Sequence, residues 1–499
     1  MYKFWSIIAI LCIVMQSIAQ SKRDYNWLIT KDYNTTTPNA KGTLVEFRDD
    51  GPTFTYAETP DGIFRQGSTI SDEEGNLLFY TNGCSIYNSA YELMENGDDI
   101  NAVTPLFDSY CPGGYPGTGL IILPDPGYEF GYYVIHKPLT ITDSGLFAFS
   151  MRYTYIDMQL ADGMGAVTSK NGIIYDDEPL LKLGYMQACK HANGVDWWIT
   201  QVAEQSNTFY KFLLNESGIS LVDTQNVGPM HSLDDGGQSQ MVYSRDGSKY
   251  VINSVENNVL LYNFNREFGE LIYLDQLEYD VEFDSHIRGV CFSPNNRFLY
   301  VSSQDTLYQV DMEEEEYHLE VVGAYDGFVA TAAEIPTVWS NMLPGPDCKI
   351  YLPSAAGIRY MHVIHDPDQK GAACNFEQHA IRFDIPLPSF FHFPIPFYRM
   401  DEGAPCDPTL VGLFDRYKVE EELYKVFPNP VSDILYIDIE PEAEVERYEL
   451  FTASGSMIRT SAVEELLIDI DIHHLRSGMY FLRLYDQNGN WKVEKVIKQ

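Results

Sequence analysis

Basic residues are scarce in this sequence. Its 499 residues hold 33 lysines and arginines against 72 aspartates and glutamates, a formal net charge of −39. A nucleic-acid-binding surface needs cations for the phosphate backbone, and docking on anionic lipid needs them too. The charge balance therefore argues against nucleic acid and anionic membrane surfaces as partners.

Motifs of several enzyme and metal-site classes are also missing. The sequence has no CxxC pair, no HExxH, no GxSxG and no phosphate-binding loop ending in Lys-Ser/Thr. These absences argue against a structural zinc cluster, a zincin, an α/β-hydrolase and a P-loop enzyme. The acidic runs at 176–178 and 234–236 do not continue as a calcium-binding loop. The sequence thus nominates no nucleophile and no acid/base pair.

The first residues have the pattern of an export signal. Lys3 is followed by an apolar stretch from Phe4 to Met15, and then by the small-x-small triplet Ser17-Ile18-Ala19. This pattern predicts a signal peptide over 1–19, cleaved between Ala19 and Gln20. No later run approaches the roughly 20 apolar residues of a spanning helix. We therefore expect no integral membrane segment after cleavage.

Seven cysteines remain after that cleavage, so at least one thiol stays unpaired within the chain. Cys84 with Cys111, or two of Cys348, Cys374 and Cys406, are candidates for disulfides in an oxidising exterior. Several of them could equally be small buried hydrophobic residues. The sequence does not assign the connectivity.

A repeated unit runs through the middle of the chain. A turn rich in Gly, Asn or Asp is followed each time by a short aromatic and β-branched strand, and successive turns lie 49 to 63 residues apart. The turn positions are Gly75, Gly131, Gly194, Gly247, Asn296 and Asp347. This spacing fits one four-stranded propeller blade per repeat. Six copies and β-like sequence at both ends predict an all-β, seven-bladed propeller over 20–400, its last blade completed by an N-terminal strand. Six or eight blades are the alternatives, because the spacing near residues 131–194 includes an insertion.

One stretch of this region resembles known proteins. It contains Ile156-Asp157-Met158-Gln159-Leu160, Lys190-His191-Ala192-Asn193-Gly194 and Trp197-Trp198, and a later segment reads Gly345-Pro346-Asp347-Cys348-Lys349. These motifs resemble propeller regions of secreted Bacteroidetes proteins that carry a type IX sorting domain. The resemblance implies the architecture and brings no catalytic residues with it.

Three histidines are the candidate metal ligands of the propeller. His191, His231 and His286 precede or lie within the start of blade strands, and three imidazoles at the axial mouth could hold a divalent metal. Their unequal offsets from the blade turns favour the other interpretation, separate polar residues in loops. The aromatic run 390–398 similarly predicts closing core or inter-domain packing, with a sugar-stacking patch as its alternative.

The end of the chain has a different texture. Residues 401–423 contain two prolines and a charged run, which predicts a linker. Five short alternating strands follow within 424–499, separated by turns, and predict a small immunoglobulin-like β-sandwich. This second domain is expected to fold separately from the propeller.

The motifs of this second domain closely resemble the type IX secretion C-terminal sorting domain. They are Pro428, Asn429, Pro430, Gly455, Leu475, Gly478, Tyr480, Lys495 and Lys498. We expect the prolines to stiffen the start of the domain and Gly478 to permit a tight approach. The resemblance implies passage through the periplasm and outer membrane, with the secretion machinery and a surface peptidase as partners. An ordinary adhesive sandwich is the alternative.

Together these features predict a secreted or cell-surface propeller that binds a protein or glycan ligand. The less favoured alternative is a secreted propeller enzyme, a polysaccharide lyase or hydrolase or a lactonase, with a metal at the axial mouth. A structural surface-layer component is a third class. No cofactor is expected, with calcium or another divalent metal as the alternative.

Overall fold

The computed structural model describes residues 21–499 except for several segments. The segments left out are 31–39, 49–50, 64–66, 112, 117–118, 143–144, 178–179, 232–236, 280–286, 331–334, 356–357, 384–395, 403–405, 407–423, 440–444, 454–455, 464–465 and 487–490. The predicted signal peptide, its cleavage site at Ala19 and Gln20, and most of the predicted linker therefore lie outside the described residues.

Seven small antiparallel sheets follow one another along the chain. Sheet 1 contains β1 (Asn26–Thr30), β2 (Ala40–Arg48) and β3 (Gly51–Thr59). Sheet 2 contains β4 (Ser68–Ser71), β5 (Leu77–Thr81) and β6 (Ile86–Asn88). Sheet 3 contains β7 (Ile121–Pro124), β8 (Gly131–His136), β11 (Met151–Asp157) and β12 (Ala166–Tyr175). The hairpin of β9 (Leu139–Thr142) and β10 (Gly145–Ala148) comes between β8 and β11 in the chain but pairs with sheet 4.

The remaining four sheets each take their strands in chain order. Sheet 4 contains β13 (Leu181–Lys190), β14 (Trp197–Ala203), β15 (Ser206–Asn215) and β16 (Gly218–His231). Sheet 5 contains β17 (Gln240–Tyr243), β18 (Lys249–Ser254), β19 (Asn258–Asn265) and β20 (Glu270–Leu277). Sheet 6 contains β21 (Gly289–Phe292), β22 (Phe298–Ser302), β23 (Thr306–Asp311) and β24 (Glu320–Ala324). Sheet 7 contains β25 (Leu343–Pro344), β26 (Ile350–Pro353), β27 (Tyr360–Ile364) and β28 (Phe376–Arg382).

Alternation along each middle strand explains why the sheets stack around an axis. In β18, Tyr250 and Ile252 join a buried cluster shared with sheet 4, whereas Val251 joins a cluster shared with sheet 6. Successive side chains of a strand point to opposite faces, so an apolar strand of this kind needs a neighbour on both sides. The predicted propeller architecture is confirmed.

The ring closes between sheets 1 and 7. Trp27 of β1 lies edge-on to Tyr351 of β26, with ring centroids 5.4 Å apart. The prediction that an N-terminal strand completes the last blade is wrong, because β1 pairs with β2 and sheet 7 takes four consecutive strands of its own. The long hairpin of β2 and β3 gives β1 a partner within sheet 1.

Residues 396–402, here called the closing segment, return to the start of the chain. Arg399 donates two hydrogen bonds of 2.9 Å to the carboxylate of Asp24, and both side chains are buried. The Tyr398 hydroxyl donates to the Ile122 carbonyl at 2.8 Å. Tyr398, the last residue of the predicted aromatic run, is therefore closing core, while 390–395 lie outside the described residues.

Two disulfides stabilise this arrangement. Cys84 is bonded to Cys111, and Cys348 in the turn before β26 is bonded to Cys406 beyond the closing segment. Both bonds belong to the predicted sets, and Cys374 is the member of the second set that stays free. Cys189, Cys291 and Cys374 are buried thiols, which fits their alternative interpretation as small hydrophobic residues.

The C-terminal domain is a sandwich of two sheets. One sheet has the order β29 (Tyr424–Phe427), β30 (Ile434–Ile439) and β33 (Leu467–Asp471). The other has the order β32 (Met457–Ala462), β31 (Val445–Thr452), β34 (Gly478–Asp486) and β35 (Trp491–Lys498). Their inner faces share one apolar core. In the described part of the chain, the short helix α1 (Pro105–Tyr110) and two 3-10 turns are the helical elements, and no helix has the length and apolar character to cross a bilayer.

Candidate functional site

The two ends of the ring carry different connections. The turns 191–196, 244–248, 293–297 and 345–349 follow the first strands of sheets 4 to 7 and lie on one end, here called the turn face. The opposite end, where the first strands of these sheets begin, is here called the loop face. Gly247 shows why the turns need glycine, because its φ is +69° and the Cys189 sulfur would lie 2.9 Å from an added Cβ.

The structure does not bring His191 and His231 together. His191 follows Lys190, which pairs with Trp197 at the turn face. His231 pairs with Ser206 at the other end of the same sheet, on the loop face. His191 and His231 therefore cannot bind the same metal ion, as the predicted site requires. The third predicted ligand, His286, lies outside the described residues.

Each of these two histidines has a local structural environment. The His191 ring accepts the Asn193 N–H at 3.0 Å and lies against Trp198. His231 is fully buried beside Tyr185 and Phe209, and its ring nitrogens have no hydrogen-bond partner among the described residues. Burial lowers the pKa of His231 to about 4, so its ring is neutral at pH 7.

Replacing His231 with phenylalanine is expected to raise the free energy of unfolding by about 1–3 kcal/mol, because the change removes two desolvated ring nitrogens. The gain should grow as the pH falls from 6.5 to 4, by about 1.4 kcal/mol per pH unit. In that pH window the His231 imidazole binds a proton in the unfolded chain but not in the folded one. The wild type therefore loses a contribution to stability that the variant, without this imidazole, does not lose. Urea unfolding at pH 7.5 and pH 5 measures both effects, and loss of a bound metal in the variant would restore the ligand interpretation.

A serine and a histidine also meet in sheet 7, a pair that sequence reasoning missed. His362 Nε2 lies 3.0 Å from the Ser354 hydroxyl oxygen. The Nδ1 atom of the same ring accepts the backbone N–H of His379 at 3.2 Å, so Nε2 carries the proton and donates to Ser354. The ring is therefore in the wrong tautomer to act as a base on Ser354, and burial lowers the pKa of His362 to about 3.

The axis holds a small cavity of about 50 Å³, lined by first strands of sheets 4 to 7. Phe397 and Met400 of the closing segment contribute to its lining, next to the turn face. The Gln240 side chain bridges neighbouring sheets there, accepting the Val290 N–H and donating to the Met342 carbonyl. A cavity of this size has room for only one or two waters.

An open depression of about 750 Å³ lies on the turn face between sheets 4 and 5. Its polar groups already have partners within the protein. Asp246 accepts hydrogen bonds from the backbone and hydroxyl of Ser248, and Asn265 accepts backbone N–H groups of the following turn. Arg266 pairs with Asp401 and donates to backbone carbonyls. These side chains serve to hold the protein's own turns and closing segment in place. The described residues that line the depression therefore do not form a set of free catalytic groups.

Metal-capable side chains cluster at one place in the described ranges, and it is in the C-terminal domain. Asp471, His473 and His474 bring their ligand atoms within 4.8 Å of one another, and all three residues are exposed. His473 Nδ1 lies 2.5 Å from the Asp471 carboxylate, within hydrogen-bonding distance. This group is remote in sequence from the predicted propeller site.

Large apolar side chains are exposed along the outer rim of sheets 4 and 5, here called the rim patch. Its members are large side chains on the outer strands β16 and β20 and in the preceding turn, each at least about a third exposed: Leu221, Val222, Phe268, Ile272, Tyr273 and Leu274. The Gln225 side chain ties the two strands together by accepting the Leu271 N–H and donating to its carbonyl. The rim patch was not predicted from the sequence. The feature that could have indicated it is a run of consecutive apolar residues in a strand at the outer edge of its sheet.

Two of the predicted sorting-motif residues form side-chain hydrogen bonds within the C-terminal sandwich. The Asn429 side chain accepts the Ile497 N–H at 2.9 Å and donates to the Lys495 carbonyl at 2.5 Å, which joins the start of the domain to its last strand. The Tyr480 hydroxyl donates to the Arg476 carbonyl at 2.7 Å.

The other motif residues have varied environments. Leu475 packs against the sandwich core, Lys498 is buried next to the chain end, and Lys495 is exposed. The described residues do not show the tight approach predicted at Gly478, since the Arg476 carbonyl oxygen is their nearest atom to an added Cβ, at 4.0 Å. The flanking prolines Pro428 and Pro430 both follow cis peptide bonds. Gly455 lies outside the described residues.

Comparisons with known proteins identify the C-terminal domain. Residues 425–499 match the family described as secretion system C-terminal sorting domain. No curated protein matches the chain in sequence.

Solved structures resemble the chain only distantly. A proposed 6-phosphogluconolactonase from Bacteroides fragilis NCTC 9343 has a TM-score of 0.45 and 12% identity, with 73% of this chain and 97% of that chain covered. A proposed 6-phosphogluconolactonase from Bacteroides uniformis ATCC 8492 has a TM-score of 0.36 and 11% identity. The likeness covers 90% of this chain and 98% of that chain. At TM-scores below 0.5 these likenesses carry no argument about activity. Residues 425–499 form a secretion system C-terminal sorting domain, which marks the protein for export by type IX secretion to the cell surface or the extracellular space.

Proposed function

We propose that the propeller is a binding module that contacts a protein partner outside the cell. The observation that carries this proposal is the rim patch on β16 and β20. Val222 is 52% exposed and Ile272 is 51% exposed, on outer strands that the Gln225 side chain links directly. Several large apolar side chains exposed on two linked outer strands are typical of a protein-interaction surface.

The composition of the rim patch favours a protein over a glycan. Its side chains are mostly aliphatic, whereas a sugar-binding site needs aromatic platforms beside free hydrogen-bonding groups. In the adjoining depression, Asp246 and Asn265 are already engaged within their turns, and Arg266 is paired with Asp401 of the closing segment. The apolar side chains are therefore the part of this surface that gains most from being covered, at roughly 25 cal/mol per Å² of apolar area removed from water.

No second function is proposed. In the described residues, no particular arrangement favours the metal-dependent enzyme, since His191 and His231 lie at opposite ends of sheet 4. A structural surface-layer component would need to associate with copies of itself, which sedimentation of the purified chain detects.

Binding of the labelled, purified full-length chain to washed cells of the producing strain tests the proposal. Ile272→Glu and Leu221→Glu should each weaken saturable binding at least about tenfold, because they place a charge within the contact. Ile173→Glu is the matched control, since Ile173 is 55% exposed on the outer strand β12, away from the rim patch. Equal binding by all three variants overturns the rim patch as the site.

The same cells distinguish the class of partner. Protease treatment of the cells should abolish binding if the partner is a protein. Binding that survives protease and is lost after periodate oxidation would show a glycan partner and contradict the proposal. Sedimentation of the purified chain covers the remaining case, because concentration-dependent oligomers that Ile272→Glu dissolves would mean that the rim patch joins copies of this chain.

A further inference from the structure

The sorting domain has one sheet face with an unusual composition for a solvent-facing surface. The outward side of the sheet β32-β31-β34-β35, here called the open face, carries Met457 at 54%, Met479 at 43%, Val493 at 40% and Ile497 at 39% exposure. The inward residues of the same strands, such as Leu482 and Val496, fill the domain core. A half-buried sheet ordinarily alternates apolar inside with polar outside, and this one also carries large apolar side chains among the polar ones on its outward side.

The strand register makes the apolar side chains of the open face contiguous. Met479 is directly opposite Ile497, and Phe481 is opposite both Phe451 on one side and Lys495 on the other. Side chains directly opposite each other in antiparallel strands have Cβ atoms about 5 Å apart. The sulfur, aliphatic and aromatic groups of the open face therefore lie next to one another across neighbouring strands.

The charged groups on the open face are mainly cationic. Arg447, Arg483 and Lys495 are accompanied there by one buried carboxylate, Glu449, which accepts from Arg447 and from the Tyr485 hydroxyl. The Arg447 guanidinium lies 4.0 Å from the Tyr485 ring centroid, and Arg483 lies 5.0 Å from that of Phe451. Such stacking holds the cations flat against the sheet. In a chain of net charge −39 this local excess of positive charge is distinctive.

The other sheet of the sandwich presents its outward side to the propeller. Asp438 of β30 is almost fully buried between Arg359 and Arg382 of sheet 7. On the same side of β30, Tyr436 lies under the Lys41 ammonium of sheet 1. The propeller thus covers part of that sheet, and the open face points away from it, because the two sheets of a sandwich expose opposite sides.

We infer that the open face is the docking surface for the type IX secretion machinery, and that the surface it meets there is flat, apolar and acidic. The apolar rows supply the contact area, and the stacked arginines with Lys495 select a partner of opposite charge. The family match identifies the secretion machinery as the partner of this domain. The geometry indicates which of the two sheet faces of the domain contacts that machinery. This inference does not depend on the ligand of the propeller.

Export of full-length variants in the native host tests the inference. Ile497→Glu and Arg483→Glu should each reduce the fraction at the surface and in the medium at least fivefold, with matching accumulation in the periplasm. The control is Ile434→Glu, since Ile434 is 37% exposed on the outward side of the other sheet, and its export should change less than twofold. Wild-type export of both open-face variants overturns the inference.

Two further measurements keep the result interpretable. The periplasmic variants should resist trypsin as the wild type does, which separates lost docking from failed folding, and Lys495→Glu provides an exposed change that leaves the core untouched. If the variants are degraded and Lys495→Glu is exported normally, the open face is structural and the inference fails. If the purified wild-type chain is a dimer that Ile497→Glu makes monomeric, a second copy occupies this face and the inference is again wrong.

Discussion

Replacing Arg399 with alanine is expected to lower the free energy of unfolding of the propeller by about 3–5 kcal/mol. The side chain is 1% exposed, and it donates two hydrogen bonds to Asp24, which is 4% exposed. Burial raises the pKa of Asp24, and Arg399 is the main charge that opposes this rise. Without the guanidinium, Asp24 must be buried either as an unpaired charge or as an acid that takes up a proton.

The matched control for this change is Lys170→Ala, which breaks a partly exposed pair with Asp98 and should cost less than about 1 kcal/mol. Urea unfolding followed by tryptophan fluorescence measures both, because Trp27 and Trp197 are buried in the propeller. Replacing Asp24 with asparagine in the Arg399→Ala background should recover part of the loss, since it removes the unpaired charge. A cost below 1 kcal/mol for Arg399→Ala would show that the closing segment contributes little to the stability of the ring.

Removing the Cys348–Cys406 disulfide, by Cys348→Ser with Cys406→Ser, is expected to cost about 4 kcal/mol. The bond closes a loop with a sequence separation of 58 residues and covalently ties the closing segment to the turn before β26. Once the bond is absent, the closing segment can leave the turn face without unfolding the rest of the ring. The chain should then be cut near residues 396–406 by trypsin under conditions in which the wild type is stable.

Cys374→Ala is the control for the disulfide variant, because Cys374 is a buried free thiol whose replacement leaves both disulfides intact. It should lower stability much less and leave the trypsin pattern unchanged. Equal unfolding midpoints for the double serine variant and the wild type would contradict the role assigned to this bond.

The sequence predicts the local parts of the fold well, because those parts depend on neighbouring residues. The turn at Gly247 is an example, since its positive φ and the capping by Asp246 both arise within a few residues. Ring closure is different. Trp27 meets Tyr351 and Asp24 meets Arg399, contacts between residues more than 300 positions apart, and no local pattern specifies which strands become neighbours there.

The same distinction explains the result for the candidate site. His191 and His231 are only forty residues apart, but the strand register puts them at opposite ends of sheet 4, and register depends on cross-strand packing. The rim patch was missed because Ile272 and its neighbours have the composition of an ordinary buried strand. Only the position of β20 at the outside of its sheet exposes them.

Fractionation of producing cells that express a chain lacking residues 424–499 tests the central claim most directly. Because those residues are the sorting domain, the truncated chain should accumulate in the periplasm, folded and protected from protease added to intact cells. The full-length chain should be found at the surface or in the medium. Detection of the truncated propeller at the surface, in an amount comparable to the full-length chain, would contradict the account.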